Sequence, residues 1–199
     1  KDIMKGNVRA IILIEDSPRM YSILLPLIYR EIVSLTKNLM KKTFDSNYKS
    51  MHLRGRIKVL LTPNYETAEK FSKKYGDNIV GVISDVKFLN DGKKDAKAGA
   101  KFAKLIREKH PAMPIMLQST DSSNLELAKD LGADFLHKGS DTLLNDLRNF
   151  MIVNFGFGDF IFKDSKGNEI FKATSIEELS NGIEEVPIET IIYHGKSNH

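Results

Sequence analysis

Cysteine is absent from the sequence, and every apolar run in it is short. Without cysteine there can be no disulfide scaffold, thiolate zinc site, iron–sulfur cluster or cysteine nucleophile. The absence is consistent with a protein that works in a reducing compartment. The longest apolar stretches, Ala10 to Ile14 and Ile23 to Ile28, fall far below the roughly 18 to 20 residues that cross a bilayer. The first residues carry no signal-peptide core. We therefore expect a cytoplasmic protein with no membrane partner.

A strong charge of either sign is also missing. The 199 residues include 30 Lys and Arg and 26 Asp and Glu, which gives a formal net charge of +4, and 41% of them are hydrophobic. This composition excludes wholesale disorder. The weak basic surplus, without any helix-turn-helix pattern, disfavours specific nucleic-acid binding. Thr36 to Arg56 is markedly basic, which predicts a solvated helix extension and loop or, as the alternative, a docking patch.

What the sequence does contain is a series of five short apolar runs, each ending in polar residues and followed by a segment of helical spacing. Such runs, without clean alternation, are typical of strands buried on both faces of a parallel sheet. A five-fold β-α alternation requires right-handed crossovers, so it predicts an α/β fold with a doubly wound five-stranded parallel sheet. The runs are Val8 to Ile14, Lys58 to Leu61, Ile79 to Ile83, Ile115 to Leu117 and Asp134 to Leu136.

The pattern changes near Asn154. Phe160 to Phe162 and Ile170-Phe171 flank a turn sequence and predict a β-hairpin, a short helix is expected from Ser175, and Thr190 to Tyr193 is a further strand candidate. This segment is too short to bury a core alone, so we expect it to pack on the main domain or to belong to something larger. The predicted division is an N-terminal tail (1–7), a main domain (8–154) and a C-terminal extension (155–199).

Polar side chains stand where four of the predicted strands end. The carboxyl ends of parallel strands meet at one edge of a sheet, so we expect these side chains to lie close together at that edge. Closely packed carboxylates repel each other and call for a cation, and oxygen ligands favour Mg²⁺ or Mn²⁺ over zinc. Such a group predicts a phosphoryl site in which a carboxylate attacks phosphorus. The residues are Glu15 and Asp16, Asp85, Ser119 and Thr120, and Lys138.

These residues carry a family resemblance. From Val8 to Ile152 the chain resembles a two-component response-regulator receiver domain, and the resemblance implies a flavodoxin-like sheet of strand order 2-1-3-4-5. It also implies a signalling module rather than an enzyme, since its only catalysis is its own phosphoryl transfer and dephosphorylation. The motifs that carry it, in chain order, are Ile14-Glu15-Asp16-Ser17, Ile83-Ser84-Asp85-Val86, Leu117-Gln118-Ser119-Thr120 and Phe135-Leu136-His137-Lys138.

The resemblance assigns a role to each carboxylate. Asp85 is implied to accept a phosphoryl group from a histidine kinase or a phosphotransfer protein. Glu15 and Asp16 would hold Mg²⁺, or Mn²⁺ in its place, together with Asp85 and the backbone carbonyl of Lys87.

A hydroxyl, a lysine and an aromatic residue complete the implied site. Ser119, five residues after Pro114, would follow the phosphoryl group and couple to an aromatic switch at Phe135, while Lys138 would pair with a phosphoryl oxygen.

The sequence departs from the receiver pattern at two places. Lys138 is followed by Gly139, where receivers usually carry a proline, so a trans peptide or a looser turn is expected. The charged loop from Lys87 to Ala98 is longer than usual.

The C-terminal extension resembles, through Asn154 to Phe160 and the ending Tyr193-His194…Asn198-His199, the segment that follows the receiver in multidomain proteins with a phosphoenolpyruvate/pyruvate-binding region. This resemblance implies that the chain is an N-terminal fragment whose output domain lies C-terminal to it.

Three alternatives stay open. One is a pseudo-receiver that binds partners without phosphorylation, which the altered lysine turn and the long loop favour. Another is a Mg²⁺-dependent phosphohydrolase with an aspartate nucleophile, although Lys87 stands where such enzymes carry a second acid. The third concerns the last helix of the main domain, whose stripe of Leu143, Leu147, Phe150 and Met151 is first of all core but would also suit a homodimer interface.

Overall fold

The computed structural model describes residues 3–4, 8–42, 57–155, 160–164, 168–173 and 176–196. It contains a five-stranded sheet whose strands are, in chain order, β1 (Ala10–Ile14), β2 (Lys58–Thr62), β3 (Ile79–Asp85), β6 (Ile115–Ser119) and β7 (Asp134–His137), with a small separate hairpin between β3 and β6. Every neighbouring pair in the sheet is parallel, and the spatial order is β2-β1-β3-β6-β7. Counting the sheet strands alone, this is the order 2-1-3-4-5, so the predicted flavodoxin-like α/β fold is confirmed.

Helices cover both faces of the sheet, which explains why the strands read as continuous apolar runs. All five residues of β1 are fully buried; Ile11 and Leu13 point into one core, and Ile12 and Ile14 into the other. Helices α1 (Pro18–Lys42) and α5 (Leu143–Asn154) supply the first core. The second receives α2 (Tyr65–Tyr75), α3 (Ala98–Lys109) and α4 (Asn124–Asp130).

The register of the sheet sets the strand ends side by side. Ile14 pairs with Ser84, Asp85 pairs with Gln118, and Ser119 pairs with His137. Residues that immediately follow β1 and β7 therefore lie at the same edge as the last residues of β3 and β6.

The segment expected to be a charged loop after Asp85 is instead an antiparallel hairpin of β4 (Phe88–Asn90) and β5 (Lys93–Asp95). Its turn is Asp91-Gly92, both with positive φ, at 50° and 71°. This is the backbone that a two-residue hairpin turn needs and that an Asp-Gly pair adopts readily.

Two residues outside the predicted main domain (8–154) pack with its core. The side chain of Ile3, in the predicted tail, is 6% exposed and belongs to one core cluster. Phe155, the first residue of the predicted extension, is 3% exposed and belongs to the other cluster, where its ring meets that of Phe150 edge-on, with centroids 5.2 Å apart.

The C-terminal residues form a small unit of their own. Strands β8 (Phe160–Lys163) and β9 (Glu169–Ala173) make the expected hairpin, and helix α6 (Ile176–Glu185) follows. The strand expected at Thr190 to Tyr193 is wrong, because these residues lie in helix α7 (Ile188–Lys196). The amide of Thr190 donates to the carbonyl of Pro187 at 2.9 Å, so this proline lies immediately before the helix and its carbonyl accepts the first turn's hydrogen bond. A short apolar run does not by itself separate strand from helix.

Within the ranges given above, no helix is both long and apolar enough to span a bilayer. The basic stretch Thr36 to Arg56 continues α1 as far as Lys42, and its residues 43–56 lie outside the described part of the chain.

Candidate functional site

Three carboxylates meet at the carboxyl edge of the sheet, as the strand ends predict. Glu15 and Asp16 follow β1, and Asp85 ends β3; one oxygen from each lies within 4.8 Å of the other two. Glu15 is fully buried, whereas Asp16 and Asp85 are partly buried at the residue level. Carboxylates at this separation repel one another strongly unless cations compensate them.

Lys138 provides part of that compensation. Its Nζ lies 2.6 Å from Glu15 Oε2 and 2.8 Å from Asp85 Oδ2, and its side chain is only 6% exposed. The lysine follows β7 directly, and its amide donates to the carbonyl of Ser119 at 2.9 Å, which fixes the start of its turn. The predicted lysine is therefore at the site, bridging two acids.

Glu15 is the most deeply buried member of the cluster. Burial raises the pKa of its carboxyl above the usual value, and the hydrogen bond from Lys138 opposes this effect. Two further donors reach the same carboxylate: the amide of Ser17 to Oε1 at 3.0 Å and the side-chain amide of Gln118 to Oε2 at 3.2 Å. These bonds fix the orientation of the Glu15 carboxylate.

Asp16 has a different cation. Lys94, on the β4–β5 hairpin, donates to Asp16 Oδ1 at 2.7 Å and lies 2.6 Å from Oδ2. The Asp16 side chain is 3% exposed, while that of Lys94 is 52% exposed. Two ammonium groups thus face three carboxylates at this edge.

Ser119 ends β6 beside the acids and is buried. Its hydroxyl oxygen accepts hydrogen bonds from the amide of Asp121 at 3.0 Å and from the side-chain amide of Asn124 at 3.1 Å. Phe135 lies in the neighbouring strand β7, half-buried against the core. The roles of hydroxyl and aromatic switch assigned to these two residues stay predictions.

The turn after Lys138 is held by His137. Its Nε2 lies 3.0 Å from the carbonyl oxygen of Thr120, and its Nδ1 lies 3.2 Å from the amide of Gly139. An Nε2–H tautomer satisfies both contacts, since the ring then donates to the carbonyl and accepts from the amide. The peptide bond after Lys138 is trans, as expected, and the histidine ring ties the turn to the loop after β6.

The donor set fits a hard divalent cation. All three side chains offer carboxylate oxygens, the ligand type that Mg²⁺ and Mn²⁺ prefer, and the three ligand atoms are close enough to share one ion. The amide of Lys87 lies 3.4 Å from Asp85 Oδ1, so the backbone of Lys87 runs beside the acceptor. Its carbonyl as a further ligand stays a prediction.

Two residues of the site escaped sequence reasoning. Gln118 lies in the buried strand β6, where an apolar residue would be expected. A polar residue at such a position indicates a buried hydrogen-bond partner, so it could have pointed to the site. Lys94 could have been found only through the hairpin, whose Asp91-Gly92 turn was visible between two short segments.

The apolar stripe of α5 faces inward. Leu147, Phe150 and Met151 are buried in the core shared with α1, and Leu143 packs against it. These side chains therefore stabilise the core of the monomer. A homodimer through α5 would have to form on another face of that helix.

Among solved structures, the chain is similar to response regulators. The phosphorylated cyanobacterial phytochrome response regulator RcpA is 12% identical, with a TM-score of 0.49, and the match covers 82% of this chain and 99% of RcpA. Response regulator RPA3017 in red light signalling of R. palustris is 13% identical, with a TM-score of 0.47 and the same coverage. The Mn(2+)-bound form of response regulator Rcp1 is 12% identical, with a TM-score of 0.41 over 72% of this chain and 91% of its own. No family model and no curated protein matches the sequence. The structures to which this chain is similar are thus response regulators, matched along nearly the whole length of each.

Proposed function

We propose that this chain is a phosphorelay receiver, in which Asp85 accepts a phosphoryl group in a Mg²⁺-dependent reaction and the resulting conformational change controls an output. The observation that carries the proposal is the bridge from Lys138 to both Glu15 and Asp85, at the edge where Asp16 and Ser119 also lie. One accessible carboxylate with a buried ammonium beside it is an arrangement suited to receiving a phosphoryl group.

The transfer is a simple exchange of bonds. A carboxylate oxygen of Asp85 attacks the phosphorus of a phosphohistidine, and an O–P bond forms as the N–P bond breaks. The departing imidazole nitrogen keeps the electron pair of the broken bond, and the ring is neutralised by a proton taken from solvent. The Asp85 side chain is 14% exposed, so a donor can reach it. Glu15, Asp16 and Asp85 would hold a Mg²⁺ ion, which would neutralise charge on the phosphoryl oxygens.

Lys138 keeps its place through the reaction. Its Nζ already lies 2.8 Å from Asp85 Oδ2, so it can donate to an oxygen of a phosphoryl group carried on that residue. Ser119 would give up the hydrogen bonds it accepts from Asp121 and Asn124 in order to donate to the same group. That exchange at the β6–α4 loop is the proposed start of the switch, and Phe135 on the adjoining strand would respond to it.

The proposed partners are those that the resemblance to receiver domains implies. The donor is a histidine kinase or a phosphotransfer protein, and the output is an attached domain or a separate protein that distinguishes the two states. In this proposal the module catalyses at most its own phosphoryl transfer and dephosphorylation.

Intact-mass measurement with acetyl phosphate tests the proposal. With Mg²⁺ the wild type should gain one phosphoryl group, and Asp85→Asn should gain none. Asp77→Asn, an exposed acid before β3 at the opposite edge, is the matched control and should be modified like the wild type. Modification of the wild type should also cease when Mg²⁺ is removed by chelation.

A second candidate function is the phosphorylation-independent interaction module, and the pairing of Asp16 with Lys94 favours it because that pair compensates an acid without a metal. If a folded wild type gains no phosphoryl mass from acetyl phosphate or from a phosphorylated kinase, the receiver proposal is wrong and this second function replaces it.

A further inference from the structure

Lys94 lies outside the four motifs of the site, yet its ammonium is in contact with a candidate metal ligand. Both oxygens of Asp16 are within 2.7 Å of Lys94 Nζ. Because these oxygens are the ones a divalent cation would use, the lysine and the ion are rivals for one carboxylate.

The hairpin that carries Lys94 is fixed to the rest of the domain. Phe88 at its base is fully buried, and Leu89 forms a parallel bridge with Asn64, the residue that caps α2. At the tip, the amide of Asp91 donates to Glu66 Oε1 at 2.7 Å. These contacts hold the hairpin from both ends, so Lys94 is presented to Asp16 by a rigid support.

Only the side chain of Lys94 needs to move for the pair to open. It is 52% exposed, and its four-carbon stem can rotate toward solvent while the strand stays paired. Lys93, its neighbour in β5, is also exposed, and with the described residues it forms no ion pair. The hairpin therefore carries two adjacent lysines, of which one reaches the acids.

We propose that Lys94 is a tethered counter-cation of Asp16 that a divalent cation must displace, so that this residue sets the metal affinity of the site and is released when the metal binds. The inference rests on the metal site of the proposed function and adds to it a residue that determines how readily the site is loaded. An ion pair with a half-exposed partner is modest in strength, so the competition shifts affinity without closing the site.

Metal binding and lysine reactivity test this together. We would measure Mn²⁺ binding by electron paramagnetic resonance for the wild type, Lys94→Met, Lys93→Met and Asp16→Asn. Lys94→Met should tighten the dissociation constant roughly fivefold. Lys93→Met removes the same charge from the same hairpin and should change the constant less than twofold, whereas Asp16→Asn should weaken binding strongly.

The second readout is acetylation of the two lysines by a water-soluble acylating reagent, quantified by peptide mass spectrometry. Saturating Mn²⁺ should raise the labelling of Lys94 relative to Lys93 in the wild type and leave the ratio unchanged in Asp16→Asn. Two results would overturn this inference and leave the proposed function standing. One is equal dissociation constants for the wild type and both lysine variants; the other is a ratio of Lys94 to Lys93 labelling that does not respond to Mn²⁺ in the wild type. Absence of Mn²⁺ binding by the wild type and Lys94→Met alike would overturn the metal site of the proposed function and the inference with it.

Discussion

Lys138 is the side chain on which the compensation of the buried charge most depends. It is almost wholly buried and contacts Glu15, which is fully buried, as well as Asp85. Removing one partner of a buried ion pair leaves a charge that neither water nor a counter-ion solvates, and this costs more than the pair contributed. The site therefore couples the stability of the fold to the residues proposed to carry the chemistry.

Lys138→Met should lower the free energy of unfolding by about 3 kcal/mol at neutral pH, because it leaves Glu15 without its ammonium. Adding Glu15→Gln should recover most of the loss, since the amide is neutral. Its oxygen can accept from the amide of Ser17, and its NH2 group can donate to Gln118 Oε1 once the Gln118 side-chain amide turns over. Urea unfolding of the wild type, both single variants and the double variant measures the coupling. Additive effects of the two substitutions would contradict the coupling.

The residues of the site divide into those that strand ends predict and those that they do not. Asp85 and Lys138 stand next to strands whose apolar pattern is clear, and a parallel sheet leaves little freedom in where such residues lie. The contact of Lys94 with Asp16 spans 78 positions of sequence and depends on the tilt of a hairpin, which no local pattern encodes. The hydrogen bonds of His137 likewise depend on the path of the β6–α4 loop.

At the scale of elements, helix α3 is fitted directly against the loop that carries the phosphoacceptor. The amide of Gly99 donates to the carbonyl of Val86 at 3.0 Å. A β-carbon on Gly99 would lie 2.5 Å from the carbonyl oxygen of Asp85 and 2.9 Å from Cα of Val86. These are backbone atoms that cannot rotate away, so the glycine allows the close approach of helix and loop.

Gly99→Ala should therefore push α3 away from the loop, lowering stability by about 2 kcal/mol and disturbing the Asp85 site. Thermal unfolding and the rate of phosphorylation by acetyl phosphate measure the two effects. Gly76→Ala is the matched control, because its β-carbon would meet only the side chain of His110, at 3.1 Å. A rate of phosphorylation in Gly99→Ala equal to that of the control would show that the loop tolerates the displacement.

The β4–β5 hairpin is joined to α3 by Asp95. This carboxylate accepts hydrogen bonds from Lys101 Nζ at 2.7 Å, the amide of Lys97 at 2.8 Å and Asn90 Nδ2 at 3.0 Å. The bond from Lys101, followed by the other two, lowers the pKa of Asp95 well below the usual value of 3.8. Since the folded-state pKa lies below that of the unfolded chain, the ionised carboxylate stabilises the hairpin at every pH above about 3.8, and this contribution is lost as the pH falls further.

Amide hydrogen exchange in the hairpin, corrected for intrinsic exchange rates, should therefore stay slow from neutral pH down to the ordinary titration range of an aspartate. Below that range the corrected exchange should become faster. In Asp95→Asn we expect the hairpin to exchange faster at neutral pH, with less change on acidification. Asp91→Asn, at the turn of the same hairpin, provides the control and should follow the wild-type profile. An Asp95→Asn variant with an unaltered profile would contradict the role given to this carboxylate.

How much of each element the sequence predicts depends on its length and its surroundings. The strands of the sheet are buried on both faces and helices with clear stripes follow them, so their identity follows from pattern alone. The β4 and β5 strands have three residues each, too few for a period to show. The Ile-rich start of helix α7 matches β-propensity, so the sequence predicts a strand there, and only packing within the C-terminal unit distinguishes the two.

At the scale of the whole molecule, the sheet domain and the C-terminal unit draw their apolar interiors from different parts of the described chain. The two cores of the sheet domain draw their members from Ile3 to Phe155. The C-terminal unit has its own small interior, in which Gly182 of α6 lies against the rings of Phe171 and Phe162 and leaves no room for a β-carbon. Phe162, Ala173 and Val186 are buried as well, and none of them belongs to either sheet core.

A chain that ends after Phe155 should consequently fold, melt within a few degrees of the full chain and accept a phosphoryl group on Asp85 at a similar rate. The control is Phe155→Ala in that same shortened chain. This ring is 3% exposed, meets Phe150 and lies over Gly81, so its loss should cost about 3 kcal/mol. Calorimetry of the full chain, the shortened chain and the control measures all three. If shortening alone lowers the melting temperature as much as the loss of the Phe155 ring does, then the C-terminal unit supports the sheet domain and the two interiors are not independent.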